Sequence, residues 1–338
     1  MALIDQFRRA LPQRSFRSAR KVGAALAVAA ASLLAITTSD ARPHRGHRSI
    51  HGANYHPPYS AVVIDDNSGQ VLHEVDADGP RHPASLTKVM TLYILFGEIE
   101  AGRFKLDMPL EVSAQAAAQA PTRLGLKAGQ KILVEDAIKG MVTRSANDAA
   151  VVIAEAVAGS EEEFAKLMTH KARALGMVNT VYVNASGLPA DQQWTTARDQ
   201  ALLGRAVQHR FPIYYGYFAL PSFAYRGRAM SNHNSLLRTV EGVDGIKTGY
   251  TEASGYNLVS SVRRGERRIV GVVLGGTSNG SRDARMRELI EQCISQAATR
   301  RTAAMITEAE DGSAVYVPAS LPKPVASPAT SPKFEAVP

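Results

Sequence analysis

Three short motifs supply the residue types that acyl transfer through a serine requires: a hydroxyl nucleophile, groups that move protons, and a cation for a carboxylate. They are Ser85-Leu86-Thr87-Lys88, Ser145-Ala146-Asn147 and Lys247-Thr248-Gly249. Each motif alone is weak evidence, since a serine followed three residues later by a lysine occurs by chance in many chains. Their combination and order predict an enzyme that forms an ester on a serine.

The first motif predicts a nucleophile and its base on one helix. Pro83 suits the first turn of a helix, and the apolar run 89–96 predicts a buried helix that ends near Gly102. On that helix Ser85 and Lys88 lie one turn apart and share a face. A lysine accepts a serine proton only if burial and nearby cations lower its pKa, and the apolar flanks favour burial. The structural alternative is a helix-start serine beside a solvated lysine.

The second motif lies between two apolar segments, 134–141 and 149–158, and this pattern predicts a turn that joins two helices. Ser145 on such a turn can relay a proton to a leaving amine. Asn147 can orient the lysine or hold a substrate amide. Taken alone, the motif fits a simple helix cap equally well, with Asn147 or Asp148 as the capping residue.

The third motif precedes the strand-like segment 256–262, which predicts that it lies at the edge of a sheet. There Lys247 and the hydroxyl of Thr248 can bind a terminal carboxylate or the acidic group of a β-lactam. Gly249 has no side chain, so a substrate can lie against the strand edge. A hairpin or strand end without any site is the alternative for this tripeptide alone.

With all three motifs considered, the chain resembles the serine D-Ala-D-Ala carboxypeptidases, which are low-molecular-mass penicillin-binding proteins. The resemblance runs from about residue 59 to residue 295 and includes the residues around the motifs. The matching segments are 83–88, 145–150, 184–189, 196–199, 232–237 and 242–251.

The resemblance implies a role for each motif residue. Ser85 would be acylated by the carbonyl of the penultimate D-alanine of a peptidoglycan stem pentapeptide, and Lys88 would accept the serine proton. Ser145 would pass that proton to the departing D-alanine, while Asn147 would position Lys88 and the substrate. The activity implied is that of a serine D,D-carboxypeptidase.

The resemblance also implies how the substrate is held. Lys247 and Thr248, followed by Gly249, would bind the terminal carboxylate. The backbone N–H groups of Ser85 and Tyr250 would form the oxyanion hole. β-Lactam antibiotics would acylate Ser85 and leave slowly, and neither a metal nor another cofactor is expected.

Three alternatives are weighed against this activity. A class A β-lactamase needs a glutamate between the second and third motifs, but residues 177–196 contain none and Ala146 stands where that class has aspartate. A D,D-endopeptidase that cleaves cross-links stays open, because no segment after Ala158 resembles the C-terminal β-domain and amphipathic anchor of larger relatives. A non-catalytic cell-wall-binding protein is the third possibility.

The N-terminal 41 residues are typical of a secretory signal. An arginine-rich start precedes the apolar stretch 22–36, which is shorter than the roughly 20 residues that cross a bilayer, and Ser39-Asp40-Ala41 suits cleavage. We therefore expect the periplasm or cell-wall space, with membrane attachment only through an uncleaved signal. Removal of residues 1–41, which carry six cations and two carboxylates, lowers the net charge from +8 to +4. This mild basicity suits a polyanionic wall, and no nucleic-acid footprint accompanies it.

The remaining patterns predict the domain organisation. Residues 42–58 form a His/Arg-rich arm that we expect to be flexible rather than a metal site, although its histidines could chelate loosely. Residues 59–298 form the catalytic domain, and the Pro/Ala-rich residues 299–338 form a disordered tail.

Hairpins near both ends of the catalytic domain enclose a mostly helical middle, 84–206. The predicted strands are 60–66 with 70–75, and 256–262 with 268–274. A closing helix, 283–298, carries the lone Cys293 as a buried thiol. This order predicts an α+β fold of the β-lactamase/transpeptidase type, in which an antiparallel sheet from both chain ends carries an inserted helical lobe.

Overall fold

A five-stranded antiparallel sheet brings together strands from near the two ends of the part of the chain that the structure describes. The structure is a computed structural model that describes residues 56–309; the predicted signal, most of the arm and residues 310–338 lie outside this range. The strands are β1 (Ser60–Asp65), β2 (Val71–Val75), β3 (Pro109–Glu111), β4 (Lys131–Leu133), β5 (Ser222–Tyr225), β6 (Arg228–Ser231), β7 (Val243–Thr251), β8 (Gly255–Arg264) and β9 (Arg267–Gly276). The central sheet has the order β2-β1-β9-β8-β7. Both predicted hairpins are confirmed, as β1–β2 and β8–β9.

Between β2 and β7 the chain is mainly helical, as the sequence predicts. The helices are α1 (Thr87–Glu100), α2 (Ala114–Ala117), α3 (Val134–Thr143), α4 (Asn147–Ala158), α5 (Glu161–Ala174), α6 (Ala197–Arg210), α7 (Pro212–Tyr215), α8 (Leu236–Thr239) and α9 (Asn279–Cys293), with 3-10 turns at Ala84–Leu86, Gly216–Ala219 and Ile294–Gln296. The α+β architecture with an inserted helical lobe is therefore confirmed. Two small two-stranded sheets, β3–β4 and β5–β6, lie outside the central sheet.

The two faces of the sheet pack against different helices because side chains alternate along each strand. In β1, Val62 and Ile64 belong to the core shared with α1, α4 and α6, whereas Ala61 and Val63 belong to the core under α9. The two cores place the sheet between α9 and the helical lobe.

Helix α1 lies at the centre of the lobe. Its residues from Thr87 to Phe96 are all buried, so the helix is enclosed by protein on every side rather than along one stripe. Each large apolar side chain buried in this way contributes about 1.5–3 kcal/mol to folding. Burial of the whole first half of α1 also removes Lys88 from water, and that sets the chemistry of the site.

Two boundaries differ from the prediction. The closing helix begins at Asn279, because Ser278 and Ser281 form a reciprocal capping box, and it ends at Cys293. The predicted disorder from residue 299 is wrong for residues 299–309, whose backbone pairs with the domain: the N–H groups of Thr302 and Ala303 donate to the Asn67 carbonyl. Within residues 56–309 no helix has the length and hydrophobicity to cross a membrane.

Candidate active site

Ser85 lies in the 3-10 turn that runs directly into α1. The sequence places it on the helix itself; the structure places it one residue before the N-cap, Leu86. Ala84, the residue before the serine, has φ +49°, a left-handed conformation that costs free energy for a residue with a Cβ. The turn is therefore held by its surroundings rather than by local preference.

Three contacts fix this turn. A Cβ on Gly187, whose φ is +81°, would lie 1.8 Å from the Ala84 carbonyl oxygen, so only glycine fits there. A Cβ on Gly249 in β7 would lie 3.0 Å from the Ser85 nitrogen. The Nδ2 of Asn257 in β8 donates to the carbonyls of His82 (3.0 Å) and Pro83 (3.3 Å). The sheet thus sets the position of the nucleophile. The sequence explains Gly249 by substrate access, whereas the structure also requires it for this close approach.

Lys88 is fully buried directly behind the serine. Its Nζ lies 3.1 Å from Ser85 Oγ, donates to Asn147 Oδ1 at 2.7 Å, and also donates to the carbonyl of Ser186. Burial, followed by the positive charge of Lys247, holds the pKa of Lys88 well below its usual value, against a smaller opposing effect of Asp148 and Glu161. A neutral amine in this position can accept the hydroxyl proton of Ser85.

The loop before α4 places Ser145 and Asn147 on the opposite wall. Ser145 has φ +60°, and its carbonyl accepts a hydrogen bond from Thr122 Oγ1 at 2.8 Å. The Asn147 backbone N–H donates to the Thr122 carbonyl, and the Asn147 side-chain amide donates to the Ala120 carbonyl. The motif therefore forms one unit with the segment around Thr122.

Asp148 organises this unit instead of capping α4. The N-cap of α4 is Ala146 with no side-chain hydrogen bond, so the predicted capping by Asn147 or Asp148 is wrong. The buried carboxylate of Asp148 accepts the backbone N–H groups of Leu124, Gly125 and Leu126 at 2.9–3.0 Å. Sequence reasoning missed this role, although a buried acid directly after the motif is a usable signal.

The third motif lies on β7, the edge strand of the sheet. Lys247 is 1% exposed, and its Nζ lies 3.1 Å from Ser145 Oγ and 2.9 Å from the Thr248 carbonyl. Burial, together with the positive charge of Arg282, lowers the pKa of Lys247 to about 7. The ring of Tyr250 is exposed and packs on Tyr256, with ring centres 4.3 Å apart.

A cavity of about 480 Å³ joins the three motifs. Six of the eight predicted site residues line it, and the other two, Lys88 and Lys247, lie behind Ser85 and Ser145 in hydrogen-bond contact. The lining residues are Ser85, Pro121, Thr122, Ser145, Asn147, Gly187, Leu188, His233, Thr248, Gly249, Tyr250, Thr251, Tyr256, Asn279 and Arg282. A cavity of this volume suits a small-molecule or dipeptide ligand.

The cavity is electropositive. The lining residues include no carboxylate, whereas Arg282 lines the cavity and two lysines lie just behind it. Burial, followed by the positive charges of Lys247, Arg144 and Arg282, lowers the pKa of His233 to about 4, so its imidazole is neutral near pH 7. An anionic ligand is therefore favoured.

Several contributors to the site carry no motif of their own. The Ser186 carbonyl and Gly187 belong to the segment 184–189, which the sequence marks only through its resemblance. Asn257 and Arg282 follow no spacing rule, because they reach the site only when β8 and α9 fold against β7.

The sequence that builds this site is similar to sequences of known proteins. A family model described as D-alanyl-D-alanine carboxypeptidase matches residues 50–278. The chain belongs to the D-alanyl-D-alanine carboxypeptidase family. It is 39% identical over 238 residues to D-alanyl-D-alanine carboxypeptidase DacA of Escherichia coli, a match that covers 68% of this chain and 59% of that protein. The chain thus spans about three fifths of the length of this curated relative.

Solved structures of family members share the fold. The crystal structure of the D-alanyl-D-alanine carboxypeptidase DacD from Francisella tularensis superposes with a TM-score of 0.67 at 32% identity, covering 72% of each chain. Penicillin-binding protein D2 from Listeria monocytogenes, in its cefotaxime-bound form, superposes with a TM-score of 0.63 at 29% identity. That match covers 69% of this chain and 95% of the other.

Glu161 and Cys293, two side chains that other hydrolytic chemistries could use, do not line the cavity. Glu161, the second of the two acids that raise the pKa of Lys88, accepts hydrogen bonds from the Ala185 N–H and from Gln115. Cys293 is buried in α9. Among residues 56–309, no group of three or more His, Cys, Asp or Glu side chains could hold a metal ion.

Proposed function

We propose that this protein is a serine D,D-carboxypeptidase that removes the terminal D-alanine from peptidoglycan stem pentapeptides and is inhibited by β-lactams. The observation that carries the proposal is the contact of 3.1 Å between Ser85 Oγ and the buried amine of Lys88, beside a cavity backed by a second lysine. The names of the relatives support the same activity.

Acylation uses both ends of the cavity. Lys247 and Thr248 hold the terminal carboxylate, which orients the scissile bond over Ser85. Ser85 Oγ attacks the carbonyl carbon of the penultimate D-alanine while the amine of Lys88 takes the hydroxyl proton. The oxygen becomes negatively charged, and the backbone N–H groups of Ser85 and Tyr250 stabilise it; loss of one such donor typically costs about 10²–10³ in rate.

Collapse of the tetrahedral intermediate breaks the C–N bond. Ser145, whose hydroxyl contacts Lys247, gives its proton to the departing amine and takes up the proton that Lys88 removed from Ser85, so D-alanine leaves and the amine of Lys88 is neutral again. Asn147 keeps Lys88 in place through its Oδ1. Water then attacks the ester carbonyl and gives up a proton to the amine of Lys88. The bond between the acyl carbon and Ser85 Oγ breaks, Lys88 returns the proton to Ser85 Oγ, and the shortened peptide leaves.

β-Lactams enter the same sequence of steps at acylation. Their ring carbonyl reacts with Ser85, and the ring nitrogen stays tethered to the acyl group, so it cannot diffuse away. The cavity offers no lining carboxylate to activate a deacylating water, which supports slow hydrolysis of this ester.

The proposed function also includes a location, the periplasm or cell-wall space. The signal-like residues 1–41 and the wall-directed relatives support action in the periplasm or cell-wall space. There the pentapeptide substrate and β-lactams are both accessible.

The test is release of D-alanine from an acyl-D-Ala-D-Ala peptide. We expect Ser85→Ala to abolish release, whereas Ser222→Ala, an exposed serine on β5 outside the cavity, keeps at least about half the activity because surface substitutions have small effects. Unchanged D-alanine release by Ser85→Ala would refute the proposed nucleophile and with it the mechanism.

A further inference from the structure

A second, smaller pocket continues the active-site cavity past the nucleophile. This side pocket has a volume of about 90 Å³ and is lined by His82, Pro83, Ala84, Gly187, Leu188, Pro189, Ala190, Asp191, Gln193, Thr251 and Ala253. It shares Gly187, Leu188 and Thr251 with the main cavity, so the two are adjacent. Its volume is far below that of a pocket for a whole ligand, and suits a single side chain.

The direction of β7 indicates which part of a substrate reaches the side pocket. From Thr248 to Thr251 the strand advances about 10 Å, the length of three extended residues. A peptide that lies along this edge strand with its carboxylate at Thr248 places the residue before the penultimate D-alanine beside Thr251. That residue carries the side chain nearest to the side pocket.

The wall of the side pocket carries one carboxylate and no lysine or arginine. Asp191 is exposed and makes no hydrogen bond or ion pair with any residue between 56 and 309. This is the reverse of the main cavity, which has cations and no lining carboxylate. The two compartments therefore complement a peptide with a negative end and a positive side chain two residues upstream.

Contacts of the neighbouring residues hold the segment that carries Asp191 beside the nucleophile turn. His82 Nδ1 contacts the Gln193 carbonyl at 2.8 Å, and the His82 ring stacks on Trp194 with ring centres 4.1 Å apart. The backbone of Trp194 pairs with Val181, and that of Thr195 pairs with Arg81. The segment that carries Asp191 is thus tied to the nucleophile turn.

We propose that the side pocket is a specificity subsite for an ammonium-bearing side chain on the residue before the penultimate D-alanine, with Asp191 as its counter-charge. The inference rests on the proposed carboxypeptidase function and names the chemistry of its preferred substrate. An uncharged side chain of the same length fits the pocket but leaves the carboxylate unpaired.

Trp194 makes the test direct, because it is the only tryptophan of the chain and stacks on a wall residue of the pocket. The Ser85→Ala variant is titrated with acyl-Lys-D-Ala-D-Ala and with its Nε-acetyl-lysine analogue while tryptophan fluorescence is recorded. We expect the free ammonium to bind roughly fivefold more tightly, the size of an exposed ion pair. The same ratio should appear in kcat/KM of the wild-type protein.

Asp191→Asn should bring the ratio of the two affinities to about one, since it removes the charge and keeps the shape. Asp107→Asn is the matched control: this exposed acid lines neither compartment, so the preference should persist. Equal binding of both peptides to the parent, or an undiminished preference in Asp191→Asn, would overturn the subsite. Either result, with penicillin still bound to Ser85 of the wild type, leaves the carboxypeptidase proposal intact; loss of penicillin labelling and D-alanine release in the wild type would end both.

Discussion

The active-site cavity and a second cavity beside α1 have nearly equal volumes, about 480 and 460 Å³. They differ in whether the lysines next to them form ion pairs with carboxylates. We call the second one the back pocket; it lies among α1, α5, α6 and residues 307–308. Each cation that lines the back pocket has a carboxylate partner: Arg103–Glu98, Lys171–Glu308 and Arg210–Glu100. Arg282, which lines the active-site cavity, also pairs with a carboxylate, that of Asp283, whereas Lys88 and Lys247 behind the cavity have no ion pair with any residue in the range 56–309.

The difference separates a structural cavity from a reactive one. At the back pocket, the ion pair between Lys171 and Glu308 holds residues 307–308 against the lobe. Burial lowers the pKa of both lysines, and the positive charge of Lys247 lowers that of Lys88 further. Lys247, whose pKa is about 7, can take up and release protons near neutral pH. Cavity volume alone therefore does not identify the active site. Buried lysines without carboxylate partners identify it.

Removal of one lysine from each cavity tests this contrast most strongly. Lys88→Met should lower the acylation rate by penicillin by about 10²–10⁴-fold, because it removes the proton acceptor. Lys171→Met should leave acylation within about twofold of wild type and cost about 1 kcal/mol of unfolding free energy, since Glu308 loses its ion pair. Stopped-flow acylation and urea denaturation measure the two effects. Similar losses of acylation rate in both variants would contradict the proposed difference between the two cavities.

A glycine-to-alanine change in each cavity gives the next largest effect. Gly249→Ala puts a Cβ 3.0 Å from the Ser85 nitrogen, which must move β7 away from the nucleophile turn; a displacement of this kind costs about 10²-fold in acylation. Gly97→Ala, in α1 beside the back pocket, meets only Phe211 at 3.7 Å. It should keep full activity and raise the unfolding free energy by about 0.5–1 kcal/mol through helix propensity. A fully active Gly249→Ala would show that the approach of β7 is not required.

The pH profile tests the charge of Lys247. The pKa of this lysine is about 7, so its ammonium is present below that pH and is lost as the pH rises through it. We expect kcat/KM for a peptide with a free carboxylate to fall at most about tenfold per pH unit above this pKa. A peptide amidated at its C-terminus reacts more slowly and should lack this limb. An identical alkaline limb for both peptides would assign it to another group.

The fold and the motif residues follow from the sequence for physical reasons. The apolar run of β1 and that of α1 are strong local signals. The first two motifs lie where helices begin, and the third lies within the edge strand β7. The eight predicted site residues therefore meet at one cavity. The chemical roles of these eight residues do not follow from their positions alone, and the substitutions described above test them.

The remaining features depend on tertiary contacts that no local pattern encodes. The left-handed conformations of Ala84 and Ser145 are imposed by neighbouring segments, and neither residue type favours them. Asp148 has the sequence signature of a helix cap but bonds to a loop more than twenty residues away. Residues 299–309 have a tail-like composition, yet their backbone donors find partners on the domain surface.

The central claim is that Ser85 is a serine made nucleophilic by the buried amine of Lys88. The most direct measurement is the intact mass of the protein, wild type and Ser85→Ala, after incubation with a fluorescent penicillin, followed by mapping of the labelled peptide. The account predicts one covalent β-lactam per wild-type molecule, located on Ser85, and none on the variant. An unlabelled wild type, or equal labelling of Ser85→Ala, would contradict it.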